Sequence, residues 1–330
     1  METRARRRWA RTLLVAALAG ALASIGLIAL AAQSTQSSDR LTAPGQGATR
    51  TTLPPSTVTT APSPPYSVQT GSLALVDPSR TTPQRGSAPA TPGRVLTTEV
   101  WRPEGAAGPL PLIVFGHGWN SDPDAYAPLL EAWAAAGYMV AAPVFPDSAD
   151  TLPGTPVSDF PDQARDLSYV ITALLHSGEP IDPARVAVAG HSDGGSDVAL
   201  LALNPAYADH RIRAYLSLSS ELPAAVAGPW DSTTPGTLLV AVGTADEYGL
   251  LPKATQVYQT AHMAKALLTI AGGTHLGPFV RTSLQSQSVR AETVRFLRLA
   301  LGPGEVTPIS LAAALGPPPD PSINVTTGAG

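Results

Sequence analysis

Between residues 94 and 301, short apolar runs rich in β-branched side chains alternate with longer stretches whose apolar positions recur at helical spacing. The runs predict strands at Arg94–Trp101, Leu110–Phe115, Tyr138–Ala142, Arg185–Ala189, Ala214–Leu218, Thr237–Val242 and Lys265–Ile270. The longer stretches predict helices at Pro123–Ala136, Phe160–His176, Gly195–Leu203, Pro252–His262 and Ser283–Leu301. Leu112-Ile113-Val114-Phe115 and Val186-Ala187-Val188-Ala189 are apolar at every position, the pattern of a strand covered on both faces. The expected fold class is therefore α/β, a mostly parallel twisted sheet with helices on both faces. Ligands of such sheets bind at the carboxyl ends of strands, so the loops there are where chemistry is sought.

Outside this span the pattern changes. A basic stretch from Arg4 to Arg11 precedes an apolar run from Leu13 to Ala32 interrupted by one polar residue, Ser24. This reads as a signal peptide or N-terminal membrane anchor (1–32), which puts the rest outside the cytoplasm, either secreted or tethered. Residues 33–70 are Ser, Thr, Pro, Gly and Ala with few large apolar side chains, a composition that reads as a disordered linker. Residues 302–330 read as a Pro/Gly-rich tail, with a short docked turn allowed at Ile309–Leu315. One catalytic-sized domain remains, 71–301.

Composition narrows the function. The net charge is −4, and with residues 1–32 set aside, which contribute five Arg against one Glu, it falls to −8. So acidic a domain lacks the cations that displace counterions from a phosphate backbone, and no nucleic-acid partner is expected. The chain has no cysteine, which excludes disulfides, thiolate nucleophiles, iron–sulfur clusters and Cys-ligated zinc. No His/Asp/Glu spacing suits zinc, so neither metal nor cofactor is expected.

The chemistry-bearing residues follow strands. The strand ending at Ala189 runs into Gly190-His191-Ser192-Asp193-Gly194 and then a helical pattern, the Gly-x-Ser-x-Gly turn in its strand-to-helix context. A sharp turn of this kind exposes the Ser192 hydroxyl, and side chains at Gly190 or Gly194 would collide with backbone. A serine needs a base oriented by an acid. Thr237–Val242 ends in Gly243-Thr244-Ala245-Asp246, and Lys265–Ile270 ends in Ala271-Gly272-Gly273-Thr274-His275. The order Ser192, Asp246, His275 is that of an α/β-hydrolase triad. Glu221 and Glu247 stand as alternatives for the acid. The Gly116-His117-Gly118-Trp119 loop suggests an oxyanion hole made by the backbone N–H groups of Trp119 and Asp193, with the Trp119 side chain as a wall of the acyl pocket. Gly116-x-Gly118 lacks the third glycine of a dinucleotide fingerprint and is discounted as one. His191 is expected to pack beneath the turn. His176, His210 and His262 are expected on the surface, and Asp162, Arg165 and Asp166 on a solvated helix face with a local ion pair.

Pro111 to Trp119, Asp162 to Leu167, Gly190 to Gly194 and the Asp246 and His275 loops together resemble secreted α/β-hydrolases of the cutinase/polyester hydrolase and platelet-activating-factor acetylhydrolase-like branch, with a likeness to dienelactone hydrolases. The resemblance spans about Thr97 to Leu299. It implies the α/β-hydrolase fold and an exported serine hydrolase that cleaves carboxylic esters through an acyl-enzyme without a cofactor. It carries the nucleophile to Ser192, the acid to Asp246, the base to His275 and the oxyanion donors to Trp119 and Asp193. Two departures bear on substrate. Secreted polyester hydrolases usually carry a disulfide near the C-terminus and this chain has none, so polymer or cutin activity is not implied. Asp193 stands where those enzymes often have Met or Gln, which disfavours anionic substrates. The connection from Glu221 to Thr237 is too short for a large helical lid, which favours small or surface-displayed esters over long triglycerides. Membrane contact is expected only through residues 1–32, if uncleaved. An acyltransferase or peptidase on the same triad, or a catalytically silent cell-envelope binding module, are the alternative readings.

Overall fold

The computed structural model describes residues 65–230 and 234–329. The N-terminal segment 1–32 and nearly all of the expected linker lie outside the described residues.

Nine strands form one sheet: β1 (Val68–Asp77), β2 (Arg94–Pro103), β3 (Leu110–Gly116), β4 (Met139–Pro143), β5 (Ile181–His191), β6 (Ile212–Leu218), β7 (Thr237–Gly243), β8 (Ala264–Ile270) and β9 (Ile323–Gly328). Their order is β1-β2-β4-β3-β5-β6-β7-β8-β9. The central run β4-β3-β5-β6-β7-β8 is parallel throughout, and β1, β2 and β9 join antiparallel at the two edges. The helices are α1 (Ala127–Ala135, after a 3-10 turn at Pro123–Tyr126), α2 (Phe160–Leu175), α3 (Asp193–Leu203), α4 (Leu250–Thr260), α5 (Gly277–Val280), α6 (Leu284–Ala300) and α7 (Pro308–Leu315).

The doubly apolar strands explain the layering. Leu112, Val114, Val186, Val188, Leu238 and Val240 face α2, α3 and α4, while Ile113, Phe115, Ala187, Ala189, Leu239 and Ala241 face α1, α6 and α7. Side chains alternate with period two, so each strand feeds two cores separated by the sheet. The seven strands expected between residues 94 and 270 all form, with ends shifted by a few residues, and the five expected helices form as well.

Three expectations are corrected. β1 begins at Val68, inside the expected linker, and pairs along its whole length with β2. The tail from residue 302 is folded rather than extended. In it α7 forms where the sequence allows a docked turn and buries Leu311 and Leu315 against the second core, while the unexpected β9 pairs with β8 from Ile323 to Gly328. The third concerns Asp166, expected on a solvated helix face. It is fully buried, and Arg94 Nε and Nη2 both reach it at 2.8 Å, because the guanidinium comes from β2, far away in sequence. The expected local pair does form, between Arg165 and Asp162 at 3.0 Å. Among the described residues no helix is long and apolar enough to cross a membrane.

Candidate active site

The parallel strands all point their carboxyl ends to one rim, and the loops after β3, β5, β7 and β8 carry the residues of interest. Ser192 sits between β5 and α3 at φ 57, ψ −119, a left-handed backbone that a side-chain-bearing residue adopts only under constraint. The constraint is visible in its neighbours. A Cβ on Gly190 would lie 2.1 Å from the Gly194 carbonyl oxygen, and one on Gly194 would lie 2.1 Å from that of Gly116. Only glycine lets β5 turn into α3 this tightly against β3. The Ser192 N–H donates to Leu218 O at 2.9 Å and its carbonyl accepts from Ser196 N at 3.0 Å, which fixes the turn between β6 and α3.

His275 and Asp246 meet. His275 Nδ1 lies 2.9 Å from Asp246 Oδ2, and the Asp246 side chain is fully buried. Tyr248 N–H donates to the other carboxylate oxygen at 3.0 Å, so both oxygens are engaged. The loops after β7 and β8 are clipped together. Ala245 N–H donates to Gly273 O at 2.9 Å, and Gly272 N–H donates to Thr244 Oγ1 at 2.9 Å. Of the two alternative acids, Glu221 pairs with Lys253 Nζ at 2.5 Å rather than with the histidine. Glu247 accepts the main-chain N–H of His275, not its ring, at 2.9 Å.

Ser192 is brought to the same rim, but among the described residues its hydroxyl makes no hydrogen bond to His275. Its neighbour His191 packs against His275, ring centroids 4.6 Å apart. Contacts between nucleophile and base are commonly open in unliganded enzymes and tighten around substrate.

The 116–120 loop lies across from this turn. A Cβ on Gly118 would sit 3.1 Å from Ser192 Cβ, so the loop backbone passes close to the hydroxyl. The loop is anchored on both sides. Asn120 N–H donates to Ser148 O at 2.8 Å, and Phe145 N–H donates to His117 Nε2 at 3.0 Å. That acceptor role puts the His117 proton on Nδ1, which donates to Gly118 O at 2.8 Å. Burial holds this imidazole neutral, its pKa pushed down to about 4. Among the described residues Trp119 N–H has no protein acceptor, and Asp193 N–H, first amide of α3, has no partner within the helix. The Trp119 side chain is half exposed, and its Nε1 donates to Pro156 O at 3.2 Å.

The electrostatics around Ser192 are acidic. Burial raises the Asp193 carboxyl above the usual range and Glu221 adds to it, while a hydrogen bond from Ser158 opposes the shift. The segment that carries Pro156 and Ser158 is tied to buried guanidiniums: Arg85 Nη2 donates to Gly154 O at 3.3 Å, and Val157 N–H donates at 2.8 Å to the main-chain oxygen of Asp147, whose carboxylate meets Arg94 Nη1 at 2.8 Å. Leu152, Val157, Trp119 and Tyr248 are exposed on these loops, and the Tyr248 ring stands edge-on to His275 at 4.7 Å. Among the described residues no group of three or more His, Asp or Glu is arranged to hold a metal ion. His176, His210 and His262 are exposed, as expected.

Two roles that sequence patterning does not reveal complete the site: Glu247, weighed from sequence only as an alternative acid, is a latch on the His275 main chain, and the Tyr126 hydroxyl meets His191 Nδ1 at 2.9 Å. No local pattern marks either, since each acts on a residue distant in sequence.

The chlorophyllase family model matches residues 72–237, a span that contains the 116–120 loop and Ser192 and stops short of Asp246 and His275. Among solved structures, a ferulic acid esterase from Streptomyces cinnamoneus superposes with a TM-score of 0.59 at 21% sequence identity, covering 81% of this chain and 98% of that one. That likeness establishes the α/β-hydrolase fold. No curated protein matches the chain.

Proposed function

The chain belongs to the chlorophyllase family of α/β-hydrolases and is a carboxylic-ester hydrolase of that family; from this premise we propose that it cleaves esters through an acyl-enzyme on Ser192. The observation that carries the reading is the 2.9 Å contact of His275 Nδ1 with the buried Asp246 carboxylate, on the same rim as a serine held at φ 57. Asp246 fixes the tautomer that leaves His275 Nε2 free to accept a proton. His275 takes the Ser192 proton as the hydroxyl oxygen attacks the ester carbonyl. The Trp119 and Asp193 N–H groups hold the oxyanion, aided by the positive end of α3. Collapse of the tetrahedral intermediate breaks the bond to the alcohol, which leaves with the proton from His275. Water then attacks the acyl-enzyme with His275 again as base, releasing the acid and restoring Ser192.

The substrate favoured by the rim is an uncharged ester with an apolar flank. Trp119, Tyr248 and Val157 offer exposed apolar surface on the loops of the site, while Asp193, next to Ser192, repels anions. This reading keeps the serine-hydrolase chemistry of the resemblance to the cutinase and acetylhydrolase branch without assigning that branch. The basic and apolar residues 1–32 support export.

The test is stoichiometric labelling by a fluorophosphonate, abolished in Ser192→Ala. Absence of labelling would favour a silent binding module. Turnover of p-nitrophenyl esters of increasing acyl length, with the matching anilide as control, separates an esterase from a peptidase. Mass spectrometry of the exported protein reads whether residues 1–32 are removed.

A further inference from the structure

A continuous line of buried hydrogen bonds runs beneath Ser192 from one loop of the site to another. Gly118 N–H lies 3.2 Å from Tyr126 Oη, Tyr126 Oη lies 2.9 Å from His191 Nδ1, and His191 Nε2 lies 2.9 Å from the main-chain oxygen of His275. Gly118 precedes Trp119, and His275 is the proposed base, so the line joins the two loops that must converge on Ser192.

Elementary donor and acceptor rules leave one assignment. The His275 carbonyl oxygen only accepts, so His191 Nε2 carries the proton. Nδ1 of a neutral ring is then an acceptor, and the Tyr126 hydroxyl must donate to it. A lone pair of that hydroxyl receives the Gly118 N–H. Each contact of the line then runs in a single direction, which makes it stiff. Its surroundings keep it so. Tyr126 is 1% exposed and His191 fully buried. Phe115 packs on the tyrosine ring at 4.8 Å, and Phe279 on the His191 ring at 5.1 Å. Burial, with His275 as a neighbour, pushes the His191 pKa down to about 3. A neutral ring here opposes no positive charge on His275.

We propose that Tyr126 and His191 are positioning residues of the ester-cleaving site, a strut that sets the Trp119 loop and the His275 loop at a fixed separation across Ser192. The inference rests on the ester-hydrolase reading above and deepens it. Neither residue touches the substrate. They act through the placement of the oxyanion donor and of the base, so their loss weakens transition-state stabilisation rather than ground-state binding.

The experiment is Tyr126→Phe, which keeps the packed ring and removes the hydroxyl, compared with His191→Gln and His191→Leu. Gln preserves a donor near the Nε2 position, and Leu preserves neither end. Active sites are counted by fluorophosphonate labelling, so that misfolded molecules drop out, and kcat per labelled site and KM are measured on p-nitrophenyl butyrate. Tyr126→Phe is expected to lower kcat per site by about tenfold to a hundredfold, the size of effect that a small misplacement produces. KM is expected to stay within about twofold, as for an interaction made only in the transition state. His191→Gln is expected to retain more activity per site than His191→Leu; if the Leu variant yields no folded protein, Tyr126→Phe alone decides. Wild-type kcat per site in Tyr126→Phe overturns the strut. Failure of the wild-type protein to take the label overturns the ester reading instead, and the strut's role with it.

Discussion

Glu247 accepts the main-chain N–H of His275 at 2.9 Å while its neighbour Asp246 holds the ring of the same histidine at 2.9 Å. Two adjacent carboxylates thus act on one residue in different ways. In the proposed mechanism Asp246 sets the tautomer of the base, and Glu247 holds the loop that carries it. Asp246→Asn is expected to lower kcat about ten-thousandfold, as loss of the orienting acid does in other serine hydrolases. Glu247→Gln, which keeps an acceptor oxygen, is expected to cost about tenfold or less. Steady-state kinetics on an activated ester check both, and the reverse order would make Glu247 the acid.

Trp119 combines two roles in separable parts. Its N–H is the proposed oxyanion donor and survives substitution, while its half-exposed indole is the proposed wall for an apolar substrate group. Trp119→Ala is expected to leave kcat on p-nitrophenyl acetate within about threefold of wild type. For an ester with an aromatic acyl group, KM is expected to rise about fivefold to thirtyfold, the worth of one aromatic contact and its buried area. Equal losses on both esters would refute the wall.

Asp197, within α3, is fully buried and both its carboxylate oxygens lack partners among the described residues. Burial, with Asp193 and Asp166 nearby, holds its pKa well above the ordinary value of 3.8. The sign of the pH effect follows. Below that value the folded and unfolded chains both carry the proton and no penalty arises. As pH rises the unfolded chain loses the proton while the folded chain keeps it, so stability falls by about 1.4 kcal/mol per pH unit until the folded pKa is reached. Asp197→Asn removes this slope. Scanning calorimetry is expected to show the melting temperature of the variant gaining on wild type between pH 4 and pH 8. A gap that does not widen would mean that Asp197 is ionised in the fold.

The folded tail is expected to be essential. Leu311 and Leu315 are fully buried and Ile323 is 3% exposed. Burial of side chains of this size contributes about 1.5 to 3 kcal/mol each. A chain ending at Leu301 loses all three and leaves β8 as a bare edge, so it is expected to aggregate. Leu315→Ala alone is expected to lower the unfolding free energy by about 2 to 5 kcal/mol in a urea titration. A soluble, fully active truncated protein would contradict this.

Legible in the sequence is whatever buries on two sides or turns sharply. β3 and the Val186–Ala189 half of β5 are apolar and buried because helices cover both faces, and Gly190 and Gly194 mark a turn that admits no side chain. β1 and β9 escape such a reading because each covers one edge of the sheet and alternates exposed with half-buried residues beside Pro-rich sequence. Their pairing energy lies in backbone hydrogen bonds, which composition does not reveal. The strut residues escape it for a related reason. Tyr126 and His191 are sixty-five positions apart, and each looks like ordinary core until the partner is known. Asp166 misleads in the same way, since the charge pattern within one helix does not show the guanidinium that arrives from β2.

β9 also orders events in time. Ala271, at the start of the loop that ends in His275, donates its N–H to Ser322 O at 2.7 Å, just before β9 begins at Ile323. A nascent chain therefore lacks the outer brace of that loop until residues near 322 have been translated. The elbow at Ser192 has its β6 partner more than a hundred residues earlier. The support of the proposed nucleophile is thus complete about a hundred residues before that of the proposed base, so a stalled or clipped product is expected to hold a well-formed serine turn and an unsupported histidine loop.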